Sequence, residues 1–149
     1  MSSPQPALRD GFARLVAQIA RQWRRAVDRR LQPFGLTEAT WLPLIHIARA
    51  PAPMRQKELS ASLVLDGSSV VRLLDALEAA GLIERREDAD RRAKIIALTG
   101  HALAIIDQVE AASREVRTTV LTGLSDEEIE VAARVLERVG QNLSQMMQD

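Results

Sequence analysis

Apolar residues recur at steps of three and four along the first long segment: Leu8, Phe12, Leu15, Ile19, Trp23, Val27 and Leu31. That period lays them along one stripe of a helix. Pro33 and Gly35 in "LQPFGL" end it. Thr37 is placed to cap a second helix, "TEATWLPLIHIARA", with Trp41, Leu44, Ile45 and Ala48 expected on its inner face. Pro43 falls in its first turns, where a missing N–H does least harm. "PAP" at 51–53 then makes a stiff break.

Two short helices follow, "RQKELSASL" and "GSSVVRLLDALEAAG", joined by "VLD", with Asp66 as a cap for the second and Gly81 as its stop. "LIERRE" and "AKIIALT" predict two strands around the polar turn "DADR". Ile96 and Leu98, two apart, share one face of the second strand and anchor it on the core. Thr99 can cap a further helix carrying Leu103, Ile106, Val109 and Val116. Ser125 and Glu128 in "SDEE" fit a capping box. The last helix bears Ile129, Ala132, Leu136, Val139, Leu143 and Met146, alternating steps of three and four like a coiled-coil seam. The predicted order is four helices, a hairpin and two helices: a mainly α fold with a small β-wing, its middle a winged helix-turn-helix.

The fourth helix gives that middle its chemistry. At about 100° per residue, Ser68, Arg72, Asp75 and Ala79 share a narrow face, with Ser69 and Ala76 at its edge and Val70, Leu73, Leu74 and Leu77 opposite. Short side chains let a helix approach the floor of a major groove, and an arginine there can reach guanine O6 and N7. A merely solvated amphipathic helix more often carries long Glu and Lys side chains on that face.

Composition narrows the function. The 149 residues contain no cysteine, which excludes disulfides, thiolate metal sites and thiol redox sensing. His46 and His101 are the only histidines, His101 at a helix start. No Gly-rich phosphate loop or metal-ligand cluster occurs, so neither an enzyme nor a cofactor or metal is expected. No apolar run is long enough for a membrane span, and a cytoplasmic location is expected. The 20 basic and 20 acidic residues cancel in total but not locally. Residues 1–34 hold seven Arg against two Asp, whereas residues 101–149 hold four Arg against nine acids. Nucleic-acid binding depends on the local footprint rather than on the total.

"FGLTEATWLPL", "KELSASL", "SSVVRLLDALEAAGLIERR" and "DADRRAKIIALT" together resemble the MarR family of bacterial transcription regulators, most closely its SlyA-like branch. The last stretch holds the family's wing pattern of Asp, one residue, Arg, a small residue and a base: Asp90, Arg92, Ala93, Lys94. The resemblance implies a homodimer in which residues 1–35 and 100–149 supply dimerisation helices, with Phe12, Leu15, Ile129, Leu136, Val139 and Leu143 at the interface. Residues 36–99 form the lobe that binds a pseudo-palindromic double-stranded DNA operator.

By the same resemblance Arg92 enters the minor groove and Asp90 orients it, while Arg72, Ser68 and Ser69 face the major groove. Arg91, Arg85, Arg86 and Lys94 contact phosphate or hold the wing, and Gln56 and Lys57 are further candidates for phosphate. Family members often bind small aromatic or phenolic anions, for which Arg14, Trp23, Arg24, Leu42 and His46 are the candidate lining. The expected function is that of a repressor released by such a ligand. A winged-helix protein-interaction module is the rival, favoured by the eight bases and eight acids that cancel over residues 55–99.

Overall fold

The computed structural model describes residues 5–87 and 94–148. The chain runs α1 (Gln5–Leu31), a 3-10 turn (Gln32–Phe34), α2 (Glu38–Arg49), β1 (Met54–Arg55), α3 (Gln56–Leu63), α4 (Gly67–Ala79), β2 (Ile83–Glu87), β3 (Lys94–Leu98), α5 (Gly100–Val120) and α6 (Asp126–Met146). Beyond the expected hairpin it has a short first strand. Met54 pairs with Ile96 and Arg55 with Ile95, giving a three-stranded antiparallel sheet of order β1-β3-β2. Two residues carry no periodicity, so only the pairing partner reveals this strand.

The chain divides into two compact units, residues 1–116 and 117–149. The first holds the core. Leu31, Leu44, Leu59, Leu74, Ile83, Val70 and Val109 are its largest fully buried side chains, drawn from helices and sheet alike. Each is worth about 1.5–3 kcal/mol relative to exposure. No polar residue is buried as a whole among the described residues. The helices are instead tied at their edges. Trp41 Nε1 donates to Asp28 Oδ1 at 3.1 Å, and Arg49 spans the two carboxylate oxygens of Glu110 at 3.2 Å each.

The inner faces differ in detail from the stripes read along the chain. In α2, Ala48 is exposed while Pro43 and Ile47 are buried, because α2 packs against both α3 and β3 and its apolar face is wider than one stripe. In α5 the buried row is Ala102, Ile106, Val109, Ala112 and Val116, and Leu103 is left outside. In α1 only Val27 and Leu31 are buried, with Trp23 packed partly on the core; Leu8, Phe12, Leu15 and Ile19 are exposed.

Local signals work as the residues suggest, with one exception. Asp66, Thr99 and Ser125 each accept from a backbone N–H in the first turn of their helices, and Glu128 completes the capping box. Thr37 occupies the N-cap of α2, but its hydroxyl lies 3.4 Å from that of Thr40 and makes no cap bond. Thr99 does more than cap. Its hydroxyl donates to the Gly81 carbonyl at 2.7 Å, and its N–H donates to the Leu82 carbonyl at 3.1 Å. One residue thereby joins the end of α4, the end of β3 and the start of α5. Gly81 has φ 75°, so glycine suits the stop after α4.

The turn between α3 and α4 is closed in the same manner, but by Val64. Leu65 N–H reaches the Ser60 carbonyl at 3.0 Å and Val64 N–H the Ala61 carbonyl at 3.3 Å, a Schellman arrangement. Val64 stands at φ 54°, left-handed backbone that a β-branched residue adopts at a cost. Its side chain is 89% exposed and offers no packing in return. Val64→Asn, which tolerates this conformation, should therefore raise stability by about 1 kcal/mol. A denaturant midpoint that fails to rise would show that the backbone relaxes at this turn.

Candidate nucleic-acid interface

Helix α4 divides sharply. Val70, Leu74 and Leu77 are buried and Leu73 half-buried, whereas Ser68, Val71, Arg72, Asp75, Ala76 and Ala79 are exposed. The exposed side is the face read from the sequence with Val71 added, an apolar residue that a wheel drawn for polar groups passes over. Asp66 organises the N-terminal end. Its Oδ1 accepts from Ser69 N–H at 2.7 Å and from the Ser68 hydroxyl at 2.9 Å. These bonds, the backbone one foremost, hold its carboxyl below the usual range, and Arg72 adds to the effect. Ser69 is half-buried, and the Ser68 hydroxyl proton is committed to Asp66, leaving its oxygen as an acceptor. Arg72 remains outward.

The hairpin is registered against this helix. Arg85 pairs with Ile96, Arg86 with Ile95 and Glu87 with Lys94. Strand alternation puts Arg85 on the same side as buried Ile83, toward α4, and Arg86 on the other. Arg85 Nη2 bonds Asp75 Oδ1 at 2.5 Å, and its buried Nε lies 3.6 Å from Glu78 Oε2, an ion-pair distance beyond a hydrogen bond. Arg86 grips Glu84 on its own strand at 2.8 and 3.2 Å, in solvent. The two arginines, alike in sequence, thus differ in role: one clamps strand to helix and the other is a surface residue.

Of the remaining candidates, Gln56, Arg85 and Lys94 meet around one cleft of about 260 Å³, together with Leu74 and Ile96. Lys57 is exposed beside it. Asp90, Arg91 and Arg92 lie outside the described residues.

The candidate ligand residues separate. Arg24 and Leu42 line a cleft of about 480 Å³ with Glu38, Pro43, Leu63, Leu65 and Leu73. Arg14, Trp23 and His46 are not among its lining. Arg14 is exposed on α1, and Trp23 packs on the core. His46 shares a 2.6 Å hydrogen bond from Nδ1 with Ser62 Oγ, joining α2 to α3. Partial burial, then the Arg49 and Arg24 charges, lowers its pKa and so favours the neutral imidazole. Leu63, Leu65 and Leu73 escape a helix-by-helix reading because they converge only when α3, its turn and α4 fold over α2. The described residues contain no cluster of three metal-ligating side chains and no helix long and apolar enough to cross a membrane.

Transcriptional regulator PA3341 shares this fold at 43% sequence identity over 90% of this chain and 98% of its own, with a TM-score of 0.84. The MarR family pattern matches residues 34–93, from the end of the 3-10 turn to the residue before β3. The chain belongs to the MarR family of transcriptional regulators. MarR-family members are regulators rather than enzymes. MepR from S. aureus, solved in complex with DNA, is 26% identical over 89% of this chain and 96% of its own, with a TM-score of 0.76. CouR from Rhodococcus jostii RHA1, solved with p-coumaroyl-CoA, is 27% identical over 89% of this chain and 93% of its own, with a TM-score of 0.75. The winged helix expected from the sequence is the MarR lobe.

The Arg85 clamp has a consequence for any MarR-type lobe of this charge. Asp75 and Glu78 are carboxylates on the helix that would approach phosphates, and Arg85 offsets both. Arg85→Ala should weaken DNA binding, by loosening the strand and by unmasking the two acids. A thermodynamic cycle with Asp75→Ala should give a coupling of about 0.5–1 kcal/mol in folding stability, modest because the aspartate is largely solvated. Additive effects in that cycle would remove the clamp.

Proposed function

We propose that the protein is a homodimeric, sequence-specific binder of double-stranded DNA, acting in the cytoplasm as a repressor released by a small aromatic or phenolic acid. The observation that carries this reading is the exposed face of α4: short side chains around an outward Arg72, beside a strand pair clamped to the same helix. Arg72 suits a bidentate contact to guanine, and Val71 an apolar contact to a thymine methyl. Arg92, oriented by Asp90, enters the adjacent minor groove, where negative potential is concentrated. Arg91, Lys94, Arg86, Gln56 and Lys57 supply phosphate contacts, and Ser68 and Ser69 sit where the helix enters the groove.

Dimerisation is supported by apolar faces that one chain leaves in water. Phe12 and Leu15 of α1 are exposed, as are Leu136, Val139 and Leu143 of α6, which buries no residue at all. Ile129 is half-buried. A second copy can cover these faces and set two recognition helices about 34 Å apart, one turn of DNA. Release is supported by the position of the apolar cleft. Leu65 and Leu73 of its wall belong to the α3–α4 turn and to α4, so an occupant presses on the element that reads DNA. By linkage, ligand and operator then weaken one another by the same factor.

The deciding experiment selects bound sequences from random duplexes at stated salt and compares variants on the winner. Arg92→Ala should cost about 1–3 kcal/mol of binding with the fold intact, and Arg72→Ala should relax base preference at one position per half-site. No enrichment of any duplex would favour a protein-interaction module instead. For the dimer, Leu136→Asp should abolish association or folding, since burying an unpaired carboxylate costs about 3–5 kcal/mol. A tight Leu136→Asp dimer in sedimentation would move the interface away from α6.

A further inference from the structure

We propose that Ser68 selects an amino base, adenine or cytosine, at the operator position it faces, and that Asp66 imposes this choice by holding the Ser68 proton. The inference rests on the reading of α4 as the helix that enters the major groove, and it adds the polarity of one contact. Residues at the N-terminal end of a recognition helix are the ones that meet base edges. A serine hydroxyl has one proton and two lone pairs, so on its own it can meet a donor or an acceptor there. In this chain the proton is already assigned. The Ser68 hydroxyl donates to Asp66 Oδ1 at 2.9 Å, and the same oxygen accepts the Ser69 N–H at 2.7 Å. An ionised carboxylate has no proton to give back, and these bonds hold the Asp66 carboxyl below its usual range. Ser68 is exposed, and what it offers outward is an acceptor.

Magnitudes decide between the two kinds of base. A keto base, guanine or thymine, presents O6 or O4 in the major groove and needs a donor. To supply one, Ser68 must exchange a charge-assisted bond for a neutral one of roughly half its strength. The exchange also brings a carbonyl oxygen toward the Asp66 charge. An amino base presents N6–H or N4–H, which the Ser68 lone pairs accept while the bond to Asp66 stays in place. The two bonds then polarise one another in a single chain, amine to hydroxyl to carboxylate. Arg72 lies one turn further along the same side of α4 and only donates. The face therefore carries an acceptor at its leading end and a donor behind it. Asp66 is a positioning residue here. Capping alone is served by serine, threonine or asparagine as well. Fixing the Ser68 proton needs a side-chain oxygen that accepts and never donates, as in Asp or Asn.

The test uses the full-length protein and the duplex that wins selection at stated salt. A parallel selection with Ser68→Ala identifies the facing position as the one whose preference relaxes. The exocyclic amine at that position is then removed, with unsubstituted purine replacing adenine, or the cytosine analogue without its amine replacing cytosine. Wild-type binding should weaken about fivefold more than that of Ser68→Ala, the worth of one hydrogen bond. Asp66→Ser keeps a helix cap but frees the Ser68 proton. It should tolerate keto bases at that position and leave the other preferences of the half-site unchanged. Asp66→Asn, whose amide oxygen accepts both bonds, should retain the wild-type choice. A damaged cap would instead weaken all duplexes together, so Asp66→Ser with the wild-type choice intact overturns the role of Asp66. Enrichment of a duplex whose preferences Ser68→Ala leaves unchanged overturns the proposal and leaves DNA reading by α4 standing. So does equal loss in wild type and Ser68→Ala when the amine is removed. No enrichment of any duplex overturns both.

Discussion

Burial of Val70, Leu74 and Leu77 on one side of α4 is the constraint on which the rest of the lobe depends. Those three side chains fix the rotation of the helix about its own axis, and the rotation decides that Ser68, Val71 and Arg72 face outward. Everything packed against that inner side then has a set position. Leu59 of α3 comes from below, and Ile83 and Ile96 come from the sheet. A DNA-reading surface of this kind needs little chemistry of its own. It needs a rigid back.

Rigidity comes from an apolar core with polar ties at its rim. Among the described residues no polar residue is buried as a whole, and the one buried guanidinium nitrogen, Arg85 Nε, lies within ion-pair distance of Glu78. The ties each contribute little stability in solvent, but they hold register. Arg85 sets the hairpin against α4, Thr99 joins α4, β3 and α5 through one hydroxyl and one N–H, and Asp66 closes the N-terminal end of α4. Val64 runs the other way, a β-branched residue in left-handed backbone at the turn between α3 and α4. The strain sits next to Leu65, which lines the apolar cleft.

The same economy explains how a chain with no net charge can carry a strongly charged site. Acids are matched to bases where they would oppose DNA, as Asp75 and Glu78 are by Arg85. Arg72, by contrast, stays outward on α4 with Asp66 near enough to feel its charge. Net charge averages these away, which is why the total says so little about partners.

The sequence by itself determined the elements whose cause is local. Helical stripes, the Asp66, Thr99 and Ser125 caps, the Gly81 stop and the hairpin all follow from periods and from side chains bonding backbone within three residues. It also determined the outward face of α4, because 3.6 residues per turn sort that helix without reference to its neighbours. The wing pattern at residues 90–94 carried the family. What depends on distant partners was decided only by tertiary structure. The two-residue strand β1 exists because β3 pairs with it. Ala48 and Leu103 lie outside because the widths of the buried faces are set by neighbouring elements, not by stripes. Arg85 and Arg86 part company because α4 offers acids to one side of the strand alone. The apolar cleft, finally, is a meeting of α1, α2, the α3–α4 turn and α4, residues up to 49 positions apart from Arg24 to Leu73, and no local period encodes a convergence of that range.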